Sequence, residues 1–222
     1  MRLACLFSGG KDSTYAAHLM EQAGHDVVVL VTVVPEDPHS WVFHTLNLEH
    51  LPEMAEAMAK DLIAVPSSGE EGADLEALER ALSGLNVEGV VTGAIASDYQ
   101  WDRINGVCQK LGLKVFSPLW RKDQLTILND MLQAGMRAMI VGVYSDGLGQ
   151  EWLGRTLDRG AVDELSALAK KKGLNVSGEG GEYETLVLDS PMHSYPLVPE
   201  DVQVEFSRDS GQLRIGRLAV SL

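Results

Sequence analysis

Six consecutive residues near the start of the chain have the composition of a phosphate-binding loop. The run Ser8-Gly9-Gly10-Lys11-Asp12-Ser13 directly follows a short apolar segment and directly precedes an amphipathic one. Two adjacent glycines let the backbone turn sharply and approach an anion closely, and the amides at the start of a helix supply hydrogen-bond donors. The sequence therefore predicts a phosphate site between a strand and a helix.

Side chains of the same run would add to these backbone donors. Lys11 supplies a positive charge, and the hydroxyl groups of Ser8 and Ser13 can donate hydrogen bonds. Asp12 can either cap the helix or hold a magnesium ion, and the sequence leaves both roles open. The alternative for the whole run is a glycine-rich turn with an Asp/Ser cap and no ligand.

The spacing of the run separates it from two common nucleotide-binding motifs. A Walker A loop has the form Gly-x-x-x-x-Gly-Lys-Ser/Thr, and the dinucleotide-binding turn has the form Gly-x-Gly-x-x-Gly. Residues 8–13 match neither pattern. A GTPase and a dehydrogenase are both disfavoured.

Short apolar runs alternate with amphipathic stretches along the chain, which favours a doubly wound α/β fold around a mainly parallel sheet. The expected helix with Leu75, Leu78, Leu82 and Leu85 on one face has Asp74 placed as its cap. The candidate strands are Leu3–Phe7, Asp26–Val34, Leu62–Pro66, Val87–Ile95, Lys114–Leu119 and Arg137–Tyr144.

The composition changes after Trp120 and predicts a second, smaller α+β domain. We expect a nucleotide-binding domain over residues 1–120 and a substrate-recognition domain over residues 121–222. Within the second part, the pattern predicts a helix from about residue 161 to 172. A β-hairpin is predicted from Val202–Phe206 and Leu213–Val220.

Stretches spread over most of the chain resemble one protein family. Together with residues 8–13, they are similar to the diphthine-ammonia ligase family in its compact archaeal form, a branch of the PP-loop N-type ATP pyrophosphatases. After Tyr99-Gln100 the family usually carries Arg, whereas this chain has Trp101-Asp102 before Arg103. The other matching stretches are His39–Thr45, Gly93–Gln100, Ser117–Trp120, Glu151–Arg155, Gly178–Thr185 and Leu188–Pro191.

This resemblance implies a fold, a reaction and a set of ligands. The fold would be that of the PP-loop pyrophosphatases, which cleave ATP between the α and β phosphates. The activity would be the ATP- and Mg-dependent amidation of diphthine on translation elongation factor 2, giving diphthamide, AMP and pyrophosphate through an acyl-adenylate. Because the chain has no candidate glutaminase segment, ammonium is the expected nitrogen source.

Residues at the end of the fourth candidate strand are expected to face the nucleotide or the acceptor, because open α/β sheets bind ligands at the carboxyl ends of their strands. A capped helix start is the alternative here, and a salt bridge is the alternative for Arg103. His44 is expected near the adenosine, with a hydrogen bond inside the fold as its alternative. The residues expected to bind nucleotide are Ser8, Gly9, Gly10, Lys11, Asp12, Ser13, His44, Gly93, Ser97, Tyr99, Gln100 and Arg103.

An acidic, glycine-rich segment is the last candidate part of the site. Glu179, Glu182 and Glu184 flank Gly180-Gly181, and these carboxylates would attract ammonium or the trimethylammonium group of diphthine. Aromatic faces at Tyr99, Trp101 or Tyr183 would serve the same purpose. The alternative is an acidic surface turn. The expected catalytic residues are Lys11, Asp12, Glu179 and Glu182, with Asp12 as the metal ligand.

Charge and cysteine content weigh against other classes of protein. The formal net charge is -14, and residues 1–120 carry 7 basic and 17 acidic side chains, so neither half offers a basic platform for RNA. The two cysteines, Cys5 and Cys108, lie too far apart in the sequence for a Cys-x-x-Cys redox or zinc site and are too few for a disulfide framework. No secretory signal and no membrane segment is expected, and a cytoplasmic location follows. Two other functions stay open: a PP-loop tRNA-modifying enzyme and a non-catalytic adenine-nucleotide sensor.

Overall fold

The chain forms two compact units in a computed structural model that describes residues 1–35, 46–68 and 72–221. The first unit consists of Met1–Ser8 and Asp12–Trp120, and the second of Gly9–Lys11 and Arg121–Leu222. The run of residues 8–13 is therefore divided, with its ends in the first unit and its middle in the second. None of the helices in the described ranges is long and apolar enough to cross a membrane.

In the first unit, strands and helices alternate along the chain, as the periodicity predicts. A 3₁₀ turn, Leu48–His50, precedes the second helix. The elements are β1 (Arg2–Leu6), α1 (Lys11–Gln22), β2 (Asp26–Pro35), α2 (Leu51–Ala57), β3 (Asp61–Ser67), α3 (Ala73–Leu82), β4 (Gly89–Val91), α4 (Asp98–Leu111) and β5 (Lys114–Phe116).

The five strands form a parallel sheet in the order β3-β2-β1-β4-β5. The order reverses between β1 and β4, which are hydrogen-bonded neighbours although β2 and β3 separate them in the chain. In such sheets the ligand crevice opens at this switch point, beyond the carboxyl ends of the two strands. The predicted doubly wound α/β fold is confirmed, and residues 8–13 follow one of these two strands.

Both faces of the parallel sheet are covered, which explains why its strands are apolar throughout. Ala4 and Leu6 belong to a buried cluster with side chains of α3 and α4, including Leu78 and Ile104. Cys5, with the opposite parity, has its sulfur 3.7 Å from the carbonyl oxygen of Ser13 in α1. Alternate residues of β1 therefore pack on opposite layers of helices.

The second unit contains an antiparallel sheet with two helices and a 3₁₀ turn, Gln150–Trp152. Its strand order is β7-β6-β9-β8. These elements are α5 (Gln124–Gln133), β6 (Arg137–Val143), α6 (Arg159–Lys172), β7 (Tyr183–Asp189), β8 (Leu197–Ser207) and β9 (Ser210–Val220).

The last of the six predicted strands lies in this second sheet, and its grouping with the parallel strands was wrong. Six of the seven residues of β6 are buried, and β6 pairs with β7 and β9, both antiparallel. A continuous apolar run shows that a strand is buried on both faces but carries no information on the direction of its neighbours. The predicted hairpin is confirmed as β8 and β9, with a turn at Arg208-Asp209.

Two local predictions in the first unit also need correction. Gly72, with φ of 86°, occupies the cap position of α3, while Asp74 lies inside the first turn and accepts a 2.5 Å hydrogen bond from the Ser67 hydroxyl. The fourth strand covers only Gly89–Val91 rather than Val87–Ile95. Beyond Val91, the Thr92 amide still donates to the Phe116 carbonyl, and the Thr92 hydroxyl accepts a hydrogen bond from the amide of Ala94.

We predict that His193 makes the protein less stable in mild acid. Burial lowers its pKa below 6.5, and its Nε2 atom is buried without a hydrogen-bond partner among the described residues. As the pH falls below about 6.5, the unfolded chain binds a proton that the folded chain does not, so the free energy of unfolding falls by at most about 1.4 kcal/mol per pH unit. Urea titrations from pH 7.5 to 5 should show a smaller decrease for His193→Gln, and equal decreases would contradict the assignment.

Candidate active site

The two ends of the six-residue run are joined to each other by their serines. The Ser8 and Ser13 hydroxyl oxygens lie 3.2 Å apart, and the Ser8 amide donates to the Ser13 hydroxyl at 3.3 Å. Gly9 has a φ of 76°, a left-handed conformation that a residue with a side chain adopts only at a cost. The contacts between Ser8 and Ser13 therefore hold the two ends of the turn between β1 and α1 together, and Gly9 provides its left-handed backbone conformation.

The middle of the run, Gly9–Lys11, lies along the outer edge of β7 within the second unit. The Val187 amide donates to the Gly9 carbonyl at 2.9 Å, and the Lys11 amide donates to the Thr185 hydroxyl at 3.1 Å. β7 is at one end of the four-stranded sheet, so this edge is not paired with another strand of that sheet. The glycine backbone thus takes the place that a neighbouring strand would have.

The Lys11 side chain is held close to the same strand. Only 3% of this residue is exposed, and its Nζ atom lies 5.3 Å from the centre of the Tyr183 ring. An ammonium group over an aromatic face is attracted by the ring. The Tyr183 hydroxyl donates to the Val176 carbonyl at 2.9 Å, and a side chain at Gly178 would meet the Tyr183 carbonyl at 2.9 Å. The ring under Lys11 is therefore itself fixed in position.

Gly93 lies against the first turn of α1. A Cβ atom at this position would come within 2.7 Å of both the Asp12 carbonyl carbon and the Ser13 amide nitrogen. These are backbone atoms, which cannot move aside as a flexible side chain can. The close approach of the segment after β4 to the helix start accounts for this glycine by packing, and its role in binding nucleotide stays a prediction.

The start of α4 has the capped form that the sequence left open. The Ser97 hydroxyl accepts a hydrogen bond from the Gln100 amide at 3.3 Å, so Ser97 is the N-cap. Tyr99 is 48% exposed, and the Arg103 guanidinium lies 3.5 Å from the centre of its ring. The Trp101 ring stacks on Trp120 with ring centres 5.5 Å apart.

Glu182 is occupied by hydrogen bonds inside its own loop. Its Oε1 atom accepts from the backbone amide and the side-chain amide of Asn175, both at 2.7 Å, and its Oε2 atom accepts from the Gly180 amide at 2.9 Å. These hydrogen bonds close the loop, and the expected catalytic role of Glu182 stays a prediction. Glu179 is half-buried in the same loop.

Sequence reasoning missed the residues that support this loop from outside. The Gln124 side chain donates to the Asn175 side-chain oxygen and accepts from the Ser177 amide, both at 3.2 Å. Thr185 was quoted within the Gly178–Thr185 stretch but given no role. Neither contact has a local sequence pattern, because Gln124 lies 51 residues from Asn175 and Thr185 lies 174 residues from Lys11.

Neither cysteine is suited to act as a nucleophile. Burial raises the pKa of the Cys5 thiol to about 12 and that of the Cys108 thiol to about 11, so both stay protonated near neutral pH. Within the described ranges, His, Cys, Asp and Glu form no group of three or more able to hold a metal ion. His44 lies outside the described residues.

Profiles of two domains together match nearly the whole chain. The diphthamide synthase N-terminal domain matches residues 1–115, and the diphthamide synthase C-terminal domain matches residues 123–220. The chain belongs to the diphthamide synthase family. The resemblance inferred from residues 8–13 and the stretches beyond them is confirmed.

Similar proteins from eukaryotes carry the name diphthine--ammonia ligase. The human protein is 35% identical over 92% of this chain and 85% of its own length, and the Danio rerio protein is 32% identical over 98% and 94%. The Schizosaccharomyces pombe protein is 37% identical over 92% of this chain, which spans only 37% of that longer protein. A predicted tRNA methyltransferase subunit from Methanocaldococcus jannaschii has a TM-score of 0.46 and 13% identity over 86% of this chain and 98% of its own, too little to support an argument.

We predict that Gly93→Ala destabilises the first unit by about 1–3 kcal/mol, because the added methyl group must displace backbone of α1. Gly106→Ala is the matched control. Gly106 lies in α4, and apart from the backbone of its own helix no atom would lie within 4 Å of an added Cβ, so alanine there should stabilise the helix by about 0.5–1 kcal/mol. Urea denaturation measures both changes. A Gly93→Ala protein as stable as the parent would contradict the close approach.

We predict that Glu182→Gln loosens the loop of residues 175–182. Glutamine has one acceptor oxygen and one NH₂ group in place of the two carboxylate oxygens. The N–H groups of either Asn175 or Gly180 would therefore lie against this NH₂ group and lose their acceptor, at a cost of about 1–3 kcal/mol. Hydrogen exchange of at least one of the two backbone amides, that of Asn175 or that of Gly180, should become faster. Glu205→Gln, on the exposed strand β8, is the control and should leave their exchange unchanged. Full protection in Glu182→Gln would show that the carboxylate does not close the loop.

Proposed function

We propose that this chain is an ATP-dependent ligase that amidates diphthine on translation elongation factor 2 with ammonium, giving diphthamide, AMP and pyrophosphate. The observation that carries the proposal is the match of both diphthamide synthase domains, over residues 1–115 and 123–220. The glycine-rich turn after β1, at the switch point of a parallel sheet, supports it independently, because that position suits a phosphate ligand.

We assign the β and γ phosphates of ATP to residues 8–13. Backbone amides of the turn and the first turn of α1 would donate hydrogen bonds, and the hydroxyls of Ser8 and Ser13 would add to them. Lys11 supplies the positive charge that the outgoing pyrophosphate needs. Asp12, at the start of α1, would share a magnesium ion with the phosphates, and that ion would neutralise charge on the leaving group.

The reaction would proceed in two steps. A carboxylate oxygen of diphthine attacks the α phosphorus, the bond to the bridging oxygen breaks, and pyrophosphate leaves, so that an acyl-adenylate forms. Ammonia then attacks the acyl carbon, AMP leaves with the electron pair of the broken bond, and a proton passes to solvent. The protein aligns the two partners, neutralises charge and keeps water from the adenylate.

Recognition of the acceptor is assigned to the start of α4. A trimethylammonium group is attracted by aromatic faces and by carboxylates. Tyr99 already carries the Arg103 guanidinium over its ring, and Tyr183 carries the Lys11 ammonium. We therefore favour Trp101, stacked on Trp120, with the exposed Asp98 and Asp102 in the same helix. A net charge of -14 suits a cationic modified side chain better than a nucleic acid.

The reaction is tested by incubating the protein with ATP, ammonium and elongation factor 2 that bears diphthine. We expect mass analysis to show the change from acid to amide, with one AMP and one pyrophosphate formed per amide. Glutamine should not replace ammonium. Asp12→Asn keeps the shape of the side chain but removes its charge, and it should lower the rate at least tenfold while circular dichroism stays unchanged.

Other products would decide between the remaining functions. Formation of ADP would contradict cleavage between the α and β phosphates. Binding of ATP without any acceptor-dependent release of pyrophosphate would indicate a nucleotide sensor. Pyrophosphate release with tRNA but not with elongation factor 2 would indicate an RNA-modifying enzyme.

A further inference from the structure

We infer that Thr185 is a positioning residue that orients the phosphate-binding turn. Its hydroxyl oxygen, 3.1 Å from the Lys11 amide nitrogen, is the side-chain acceptor in the pair of hydrogen bonds that join Gly9–Lys11 to β7. The role assigned to the turn in ATP binding rests on the proposed function. The orientation of the turn itself does not depend on the proposed function, because both hydrogen bonds form within the folded chain.

The two hydrogen bonds fix both peptide planes on either side of Gly10. In a trans peptide the carbonyl and the N–H group point in opposite directions. Because the Gly9 carbonyl points to the Val187 amide, the Gly10 N–H points away from β7. Because the Lys11 N–H points to Thr185, the Gly10 carbonyl points away from that hydroxyl.

Fixing these planes matters most at a glycine. Gly10 has no Cβ to limit its φ and ψ angles, so two adjacent glycines would otherwise give the turn many conformations. The strand removes that freedom before any ligand arrives. When an amide is already oriented, binding of an anion costs less backbone conformational entropy, and this strengthens binding.

The same face of β7 also holds the Lys11 side chain. Tyr183 and Thr185 are two residues apart in a strand, so their side chains lie on one face. The Tyr183 ring lies beneath the Lys11 ammonium, and the Thr185 hydroxyl accepts from the Lys11 amide. Two residues of β7 therefore position Lys11: Thr185 contacts its backbone, and Tyr183 contacts its side chain.

Thr185→Val tests this role, because valine has nearly the shape of threonine but cannot accept a hydrogen bond. We expect the affinity for a non-hydrolysable ATP analogue to fall about tenfold, measured by calorimetry, and KM for ATP to rise in parallel while KM for ammonium stays unchanged. Thr185→Ser retains the acceptor and should restore affinity to within about twofold. Thr156→Val makes the same chemical change at an exposed position of the same unit and should have no effect.

A measurement without nucleotide separates this inference from the proposed function. The Lys11 amide should exchange with solvent faster in Thr185→Val than in the parent or in Thr185→Ser. Unchanged exchange, or unchanged affinity for the ATP analogue in Thr185→Val, would overturn the inference and leave the proposed function standing. Faster exchange in Thr185→Val than in the parent, found for a parent protein that neither binds nor cleaves ATP, would support the positioning role while the proposed function fails.

Discussion

The structure of the candidate site depends on a short length of glycine backbone hydrogen-bonded to the edge of β7. The carbonyl of Gly9 and the amide of Lys11 make these two bonds with a strand more than 170 residues away in the chain. The strand, in turn, is fixed by its pairing with β6, and the loop before it is closed by Glu182. The backbone of the glycine-rich turn is thus oriented by Thr185 and Val187, residues to which the sequence alone assigns no role.

Much of the fold could be predicted because its causes are local. Apolar runs of strand length and a capped helix start at Ser97 each reflect the conformation of a few consecutive residues. The turn after β1 was recognised for the same reason, since two glycines between a strand and a helix have few other uses. The direction of β6 was not predictable, because burial on both faces is common to parallel and antiparallel strands.

The parts of the site that could not be predicted are those set by contacts between distant segments. Glu182 appeared as one of three acidic groups, and only the positions of Asn175 and Gly180 show that its oxygens are occupied. Gly93 appeared as a ligand-binding residue, and the structure shows that the first turn of α1 leaves no room for a side chain there. In both cases the sequence draws attention to the residue but does not show its contacts with distant segments, and its role in binding a ligand stays a prediction.

The most direct test of the central claim is a crystal structure of the protein with a non-hydrolysable ATP analogue. The account predicts that the β and γ phosphates lie within hydrogen-bond distance of the amides of residues 8–13, with the Gly10 N–H pointing toward them and the bonds from Gly9 and Lys11 to β7 intact. A triphosphate bound elsewhere, or a turn that leaves β7 when the nucleotide binds, would contradict it.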